Sequence, residues 1–430
     1  MSEQTATDNA PNQAGAGRDF WVFWAGQTVS NMGNAITFLV IPLLIFKLTG
    51  SALNLAIATA AEFVPYLLFG LWLGAAVDRL DRRKVMMVAD IGRALMLLSI
   101  PLLASAGSLH VWWVYLVGFT NSTMGIAFNT AEFASIPHLV DRNNLVTANG
   151  RIQASYSVAM VAGPLVAGVF LGIASPETIL LFDSLTFVVS IVSLIFIRRS
   201  LNPTSRETEE RVPLRRDVIE GLRYVWSHPV LRAISIMMAL INFVSVTTTA
   251  QLVFFAKEQF NASDGRVSLL FSAGGAGVVI LSLSAGLLRR HWSFGKVALG
   301  ALMINGLLIA AFAIAPSYWV ALPLWGISSG FGILFNINTG SLRQTIVPDH
   351  LLGRVGSVAA VLAWSGIPVG SFLGGLAIQW SGSVVMVYVG IGVTMALIAA
   401  VFSFSALGNA EQYLEPQDAR VKSRQQSVAA

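Results

Sequence analysis

Three carboxylates within long apolar stretches are the side chains best suited to proton chemistry: Glu62, Asp90 and Asp183. Apolar surroundings favour the neutral form of a carboxyl group, so each could take up and release a proton. Arg93 follows Asp90 at helical spacing, which favours a structural ion pair for that aspartate. Asp183 could instead cap or bridge helices. Glu62 has no charged neighbour at helical spacing and is therefore the first candidate for reversible protonation.

A second set of polar side chains, rich in asparagine, also lies within apolar stretches. An uncovered amide is costly in lipid, so these side chains should face a cavity or a neighbouring helix. Hydrogen bonding between helices, with no ligand, is the alternative. Phenylalanines on the same stretches would make the cavity neutral and partly aromatic, which suits a bulky amphipathic organic molecule. The predicted lining residues are Gln27, Asn31, Asn34, Asn121, Asn129, Asn242, Ser245, Thr249, Asn336 and Asn338.

The composition indicates that membrane-spanning helices carry these side chains. Of the 430 residues, 55% are hydrophobic and only 11% are charged, whereas a soluble domain is usually about a quarter charged. Apolar runs of about twenty residues, long enough to cross ~30 Å of hydrocarbon, recur along the chain. The chain has no cysteine, which excludes disulfides, thiol catalysis and cysteine-based metal sites. We expect no cofactor and no metal.

The sequence predicts an all-α membrane protein with twelve transmembrane helices in two pseudo-symmetric six-helix bundles. A barrel is excluded because its strands would alternate apolar and polar residues. Most Lys and Arg fall in the tails and in loops after even-numbered spans, which places both termini in the cytoplasm. Predicted spans are 19–46, 52–77, 85–106, 111–134, 148–174, 177–197, 230–256, 266–288, 296–315, 318–341, 355–381 and 383–407.

Polar segments divide the chain into five parts. Within the middle segment, Leu214, Val218, Leu222 and Val225 stand at helical spacing and predict an amphipathic helix on the inner membrane face. This helix either regulates activity or, as we favour, only links the halves. The predicted parts are a disordered cytoplasmic tail 1–18, a bundle 19–197, the linker 198–229, a bundle 230–407 and a cytoplasmic tail 408–430.

The two halves repeat short patterns. Gly150-Arg151 and Gly353-Arg354 each enter a span, and Pro164 and Pro368 follow at similar distances. Repeats of six spans are how many secondary transporters are built, with the substrate site near mid-membrane between the halves. The basic excess fits cytoplasmic loops near anionic lipid, and no basic stripe with interleaved aromatics indicates nucleic acid.

At these residues the chain resembles the major facilitator superfamily over nearly its full length. The loop from Gly74 through Asp78 and Arg79 to Arg82 and Arg83 matches the signature between the second and third helices. Gly163-Pro164-x-x-Ala167-Gly168 looks like the fifth-helix motif of exporters and antiporters. The segments DRRKVMMVADIGRALML, IPHLVDRNNLVTANG and FDSLTFVVS are similar to the macrolide-efflux and enterobactin-exporter branch.

The resemblance implies export of a drug-like, macrolide-like or siderophore-like compound by alternating access, with protons as the coupling ion. It further implies a cytoplasmic latch of Gly74, Asp78, Arg79, Arg82, Arg83 and Glu132, in which Asp78 faces a helix N-terminus of the other half. Within that latch, Arg82 would pair with an acid at the inner end of the fourth helix, for which Glu132 is the candidate. Such contacts can exist only when the cytoplasmic side is closed, so they would favour the outward-facing state. Residues Gly163, Pro164, Gly168 and Pro368 are expected to be sites of close packing and helix bending.

The sequence departs from the family pattern at two positions. Asp81 stands where the loop motif usually has glycine, and Asn121 stands where many proton-coupled exporters have arginine. The partners we expect are the bilayer, a small-molecule substrate and protons, with the chain a monomer in a bacterial plasma membrane. A lipid or lysolipid flippase or importer of the same fold is the alternative. An integral membrane enzyme is less favoured because the five histidines form no ligand pair at helical spacing.

Overall fold

A computed structural model of the chain describes residues 17–77, 80–141, 144–202, 214–348 and 351–413. Within these ranges the chain is almost entirely α-helical and contains no β-strand. Two predicted latch residues, Asp78 and Arg79, lie outside the described residues, as do most of the two predicted tails.

Fourteen α-helices follow one another in the described part of the chain. They are α1 Arg18–Thr49, α2 Ala52–Val77, α3 Arg82–Ser105, α4 Val111–Leu139, α5 Leu145–Phe170, α6 Pro176–Phe196, α7 Leu214–Ser227, α8 Pro229–Ala250, α9 Leu252–Phe260, α10 Asp264–His291, α11 Phe294–Ala313, α12 Tyr318–Ile346, α13 Leu352–Ser381 and α14 Val384–Ser403.

Eleven of these helices are long and apolar enough to cross a membrane. Helix α4 is not among them, although it was predicted to be a span and has 29 residues. Its hydropathy is low because Asn121, Ser122, Asn129 and Glu132 interrupt the apolar sequence.

The seventh predicted span is divided into α8 and α9 at Gln251. The backbone there leaves helical geometry, with φ −101° and ψ 7°. The side chain of Gln251 is fully buried, and its Nε2 donates to the carbonyl of Ala52 at 2.8 Å. This bond connects the break in the second half of the chain to the start of α2.

Helix α7 is present at the place where the sequence predicts an amphipathic helix. Val225 is fully buried in an apolar cluster with Leu231 and Val355, but Leu222 is exposed. Glu220 accepts a hydrogen bond from Arg354 Nη1 at 2.6 Å. The linker helix is therefore attached to the start of α13 by apolar packing and an ion pair.

The helices make two sets of contacts. Helices α1 to α6 pack on one another, and α8 and α10 to α14 do the same, while α2 packs on α13 and α5 on α10 across the sets. Small residues permit the closest crossings: a Cβ at Gly277 would collide with the carbonyl oxygen of Gly326. Close approach through small residues is characteristic of helix packing in membranes.

Candidate functional site

A cavity of about 270 Å³ lies where α1, α2, α8, α10 and α13 meet. Its wall combines phenyl rings from Phe38 and Phe271 with polar groups from Asn242, Ser245 and Thr249. Both sets of helices contribute to it, which places the cavity between the two groups of packed helices.

Two further cavities adjoin this one. A cavity of about 490 Å³ shares Phe38, Glu62, Phe63 and Phe271 with it and is also lined by Asn31, Asn34 and Asn121. A cavity of about 310 Å³ shares Asn242, Ser245 and Thr249 with it and includes Asn336. The three cavities together bring seven of the ten predicted lining residues to one region: Asn31, Asn34, Asn121, Asn242, Ser245, Thr249 and Asn336.

The other three predicted lining residues lie elsewhere. Gln27 is buried and donates to Ser190 Oγ at 3.0 Å, between α1 and α6. Asn338 is buried and donates to the Leu334 carbonyl of its own helix at 2.8 Å. Asn129 lines a separate pocket near the end of α4. Helical spacing placed these amides on the correct helices but could not show which neighbour each would meet.

Glu62 lines two of the three cavities, so the prediction of a neutral lining is wrong. Ser122 Oγ donates to the backbone carbonyl of Glu62 at 2.5 Å, which ties α2 to α4. A Cβ at Gly118 would make an ordinary van der Waals contact with Glu62 Cγ at 3.5 Å, so Glu62 lies against this part of α4. Among the described residues, the Glu62 carboxylate has no hydrogen bond and no ion pair.

Arg93 is the centre of a buried polar network that joins α1, α3, α4 and α6. Its Nη1 lies 3.7 Å from Asp90 Oδ1, so the ion pair predicted from their spacing is present. Its Nε donates to Asn121 Oδ1 at 3.1 Å and its Nη2 to Asn34 Oδ1 at 2.5 Å. The guanidinium also lies over the Phe187 ring, 4.2 Å from the centroid.

The arginine determines the orientation of both amides. A guanidinium group can only donate hydrogen bonds, so the oxygens of Asn34 and Asn121 must face Arg93. The NH₂ groups of these two cavity-lining amides remain available as donors. The sequence indicated the Asp90–Arg93 pair, but contacts between distant helices carry no local signal, and the amide contacts of Arg93 were therefore missed.

Asp183 bridges two helices, the alternative that the sequence left open. Its carboxylate accepts hydrogen bonds from Thr37 Oγ1 of α1 and from Thr186 Oγ1 of its own helix, the latter at 2.9 Å. Gly33 allows the close approach, because a Cβ there would collide with the Asp183 carboxylate. The residue is buried and already satisfied by hydroxyl donors, unlike Glu62.

The loop before α3 is held by backbone groups, and the Arg82–Glu132 ion pair expected for a closed cytoplasmic side is not formed in this structure. Arg82 Nη1 donates to the carbonyls of Ala134 at 2.8 Å and Leu201 at 3.1 Å. These carbonyls lie next to the first turn of α3, whereas Glu132 Oε1 is buried without a hydrogen-bond partner.

Other basic and acidic residues of this loop have similar roles. Arg83 Nη2 donates to the Arg199 carbonyl at 2.7 Å. Asp81 caps α3 by accepting from the Lys84 backbone N–H at 3.0 Å and also accepts from Asn202 Nδ2 at 3.1 Å. The Lys84 backbone hydrogen bond lowers the pKa of the Asp81 carboxyl. The aspartate that departs from the family motif is therefore a helix cap.

The predicted packing and bending residues lie at helix contacts. A Cβ at Gly163 would be 2.5 Å from Ala35 Cβ on α1, and one at Gly168 would collide with Ser268 on α10. Pro164 lies inside α5 and Pro368 inside α13. The structure gives close packing for both glycines, and their part in bending stays a prediction.

The family model described as transmembrane secretion effector matches residues 10–429 of this chain. The chain belongs to this family of the major facilitator superfamily. Macrolide efflux protein A of Streptococcus pyogenes is 26% identical over 371 residues, which cover 83% of this chain and 88% of that protein. Multidrug efflux pump Tap of Mycolicibacterium fortuitum is 27% identical over 351 residues, which cover 80% of this chain and 85% of that protein.

Solved transporter structures share the fold. A bacterial homologue of the human lysosomal transporter Spinster, in an inward-facing and unoccupied conformation, aligns with a TM-score of 0.72 at 15% identity, covering 93% of this chain and 98% of that one. Nucleoside transporter NupG aligns with a TM-score of 0.75 at 13% identity, and the alignment covers 90% of this chain and 98% of that one. The chain is therefore a multi-pass transporter of the bacterial inner membrane and not an enzyme.

Proposed function

We propose that this transporter exports bulky amphipathic organic compounds by alternating access and exchanges them for protons. The efflux relatives support a drug-like or macrolide-like compound as the substrate. The adjoining cavities support the same class, because they combine phenyl rings with amides, hydroxyls and the carboxylate of Glu62. Largely apolar pockets with a few placed polar groups suit such ligands.

The proposal includes twelve spans in two six-helix halves, with α4 as the twelfth span. At about 1.5 Å per residue, its 29 residues extend over ~44 Å, which exceeds the ~30 Å of a bilayer core. Its polar residues Asn121 and Ser122 line a cavity, so they need not contact lipid. An even number of spans and the basic loops support a topology with both termini in the cytoplasm.

Contacts between the halves at one end of the molecule support alternating access. Near the start of α2, Gln251 and Ser371 donate to the carbonyls of Ala52 and Ala56, at 2.8 and 3.1 Å. Towards the other end, Asn129 of α4 and Asn336 of α12 are exposed. In the proposed topology this is a conformation open to the cytoplasm and closed on the outer side.

The observation that carries the coupling proposal is the unpartnered carboxylate of Glu62 in the wall of two cavities. Asp90 has Arg93 beside it, and Asp183 accepts from two threonines. Glu62 can therefore exchange a proton or contact a substrate without first breaking an internal pair. A proton on Glu62 would favour release of a substrate, and its loss would favour binding.

The test is ethidium efflux from cells lacking their own drug pumps, measured between about pH 6 and 8 with and without a protonophore. The proposal expects wild-type efflux that stops on adding the protonophore. Glu62→Gln should transport slowly, with little dependence on external pH, because the amide cannot exchange a proton. Glu258→Gln, at an exposed position on α9, is the matched control and should behave as wild type.

Two results would contradict parts of this proposal. Unchanged pH dependence in Glu62→Gln, at equal protein level, would exclude Glu62 as the coupling group. Absence of organic-compound efflux in the wild type, together with uptake of labelled lysolipid, would favour the flippase or importer of the same fold.

A further inference from the structure

A pocket of about 500 Å³ lies between α4 and α5, apart from the three cavities described above. Its apolar wall is formed by Phe133, Ile136 and Ile152. Its polar wall consists of one carboxylate and three amides, with no Lys or Arg among the lining residues: Glu132, Asn129, Asn149 and Gln153.

The carboxylate in this pocket has no hydrogen bond or ion pair among the described residues. Oε1 of Glu132 is buried without a hydrogen-bond partner. The charged groups that face it are Asp90 and Arg93 of α3, which already form an ion pair with each other. A carboxylate in this position is therefore left with unused acceptor capacity, which is costly unless a ligand or water supplies donors.

The pocket lies on the cavity face of α4. Asn121, Gly125, Asn129 and Glu132 follow at spacings of four, four and three residues and so share one side of the helix. Asn121 lines the central region, and eleven residues further along, about 16 Å, Glu132 lines the separate pocket. In the proposed topology this pocket lies at the cytoplasmic end of the route to the central cavities.

We propose that this pocket is an entry site for amphipathic organic cations, with Glu132 binding the cationic group and the apolar wall contacting the rest of the molecule. This inference rests on the proposed export function. An ammonium or similar cation supplies the donors that the carboxylate lacks, and the three amides can supplement it through their oxygens. Anions are excluded by the same carboxylate, and neutral compounds gain nothing from its charge.

The route then contains a carboxylate near each end. Glu132 lies at the entry, and Glu62 lies beside Gly118 at the opposite part of the α4 cavity face. A cation that leaves Glu132 for the central cavities would encounter Glu62, which is also without an ion pair among the described residues. The arrangement favours cationic over neutral compounds at the first binding step.

Two assays test the entry site: ethidium binding to the purified full-length protein in lipid nanodiscs, and efflux of ethidium and of neutral chloramphenicol from pump-deficient cells. Glu132→Gln should weaken ethidium binding about tenfold or more, because a charge-assisted contact is lost, and should leave chloramphenicol efflux unchanged. Glu132→Asp should restore part of the binding. Gln153→Lys adds a positive charge to the pocket from α5 and should also weaken ethidium binding. It is the second test variant if Glu132→Gln folds poorly.

The outcomes separate this inference from the proposed function. Equal ethidium binding by the wild type, Glu132→Gln and Gln153→Lys would overturn the entry site while export stands. Equal loss of ethidium and chloramphenicol efflux in both variants would overturn its selectivity for cations. Wild-type protein that binds ethidium through Glu132 but exports neither compound would support the site and contradict the export function.

Discussion

The buried network around Arg93 gives a prediction whose size follows from the structure. Arg93→Met removes the guanidinium but keeps an unbranched side chain that matches the aliphatic part of arginine. Asp90 has no exposed surface and would lose the positive charge 3.7 Å from its carboxylate. The oxygens of Asn34 and Asn121 would lose their donors as well, although both amides line a cavity that water can enter.

Most of the expected loss in the free energy of unfolding comes from Asp90, which would be left as an unpaired buried charge. Removing one partner of a buried ion pair typically costs about 3–5 kcal/mol, a factor of roughly 10² to 10⁴ in the unfolding equilibrium constant. The amide oxygens add less, since water can replace part of the lost hydrogen bonding. We therefore expect Arg93→Met to be destabilised by about 3–5 kcal/mol.

The assay is reversible unfolding in mixed micelles, followed by tryptophan fluorescence. Arg93→Met should be less stable than the double variant Asp90→Asn/Arg93→Met, because the double variant leaves no buried charge uncompensated. Arg151→Met is the control: Arg151 stacks on Trp21 at 4.5 Å, and its loss should cost about 1 kcal/mol or less. A double variant no more stable than Arg93→Met would refute the reasoning, because the charge of Asp90 would then not be the source of the cost.

Two further variants test the packing and the helix bridge. Gly277→Val should abolish accumulation of folded protein, because its Cβ would collide with the Gly326 carbonyl, whereas Gly286→Ala, with open space around its Cβ, should accumulate normally on a membrane immunoblot. Thr37→Val should lower stability in the unfolding assay by about 1–3 kcal/mol, because it removes a donor from buried Asp183; wild-type stability in that variant would show that the α1–α6 bridge contributes nothing.

Hydropathy and turn residues were sufficient to predict where most helices lie. The predicted span 52–77 coincides with α2, and the predicted span 318–341 is extended to Ile346 in α12. Helix α3 begins at Arg82, three residues before the predicted start, because the Asp81 side chain caps it. The break at Gln251 was not predicted, since it is stabilised by a contact with Ala52, 199 residues away.

The candidate site was predictable only in part, because contacts between residues distant in the sequence leave no local signal. Polar residues in apolar helices had to face a cavity or another helix, and seven of ten faced the three adjoining cavities. Which partner each side chain meets depends on packing between distant helices. Glu132 was assigned to Arg82, but Arg82 contacts backbone carbonyls and Glu132 lines a pocket.

Carboxylates are distributed unequally between the two groups of helices. Helices α2, α3, α4 and α6 each carry one within the apolar region, whereas between Asp264 and Glu411 the chain has only Asp349. Helices α11 to α14 therefore contribute no carboxylate to the cavities, and α8 and α12 contribute amides such as Asn242 and Asn336. If the proposed function and the entry site for cations both hold, a proton and a cationic compound would compete for the carboxylates of α2 and α4. Binding of one would displace the other from these carboxylates. Exchange would therefore not require a charge to move to α8 or to α11 to α14.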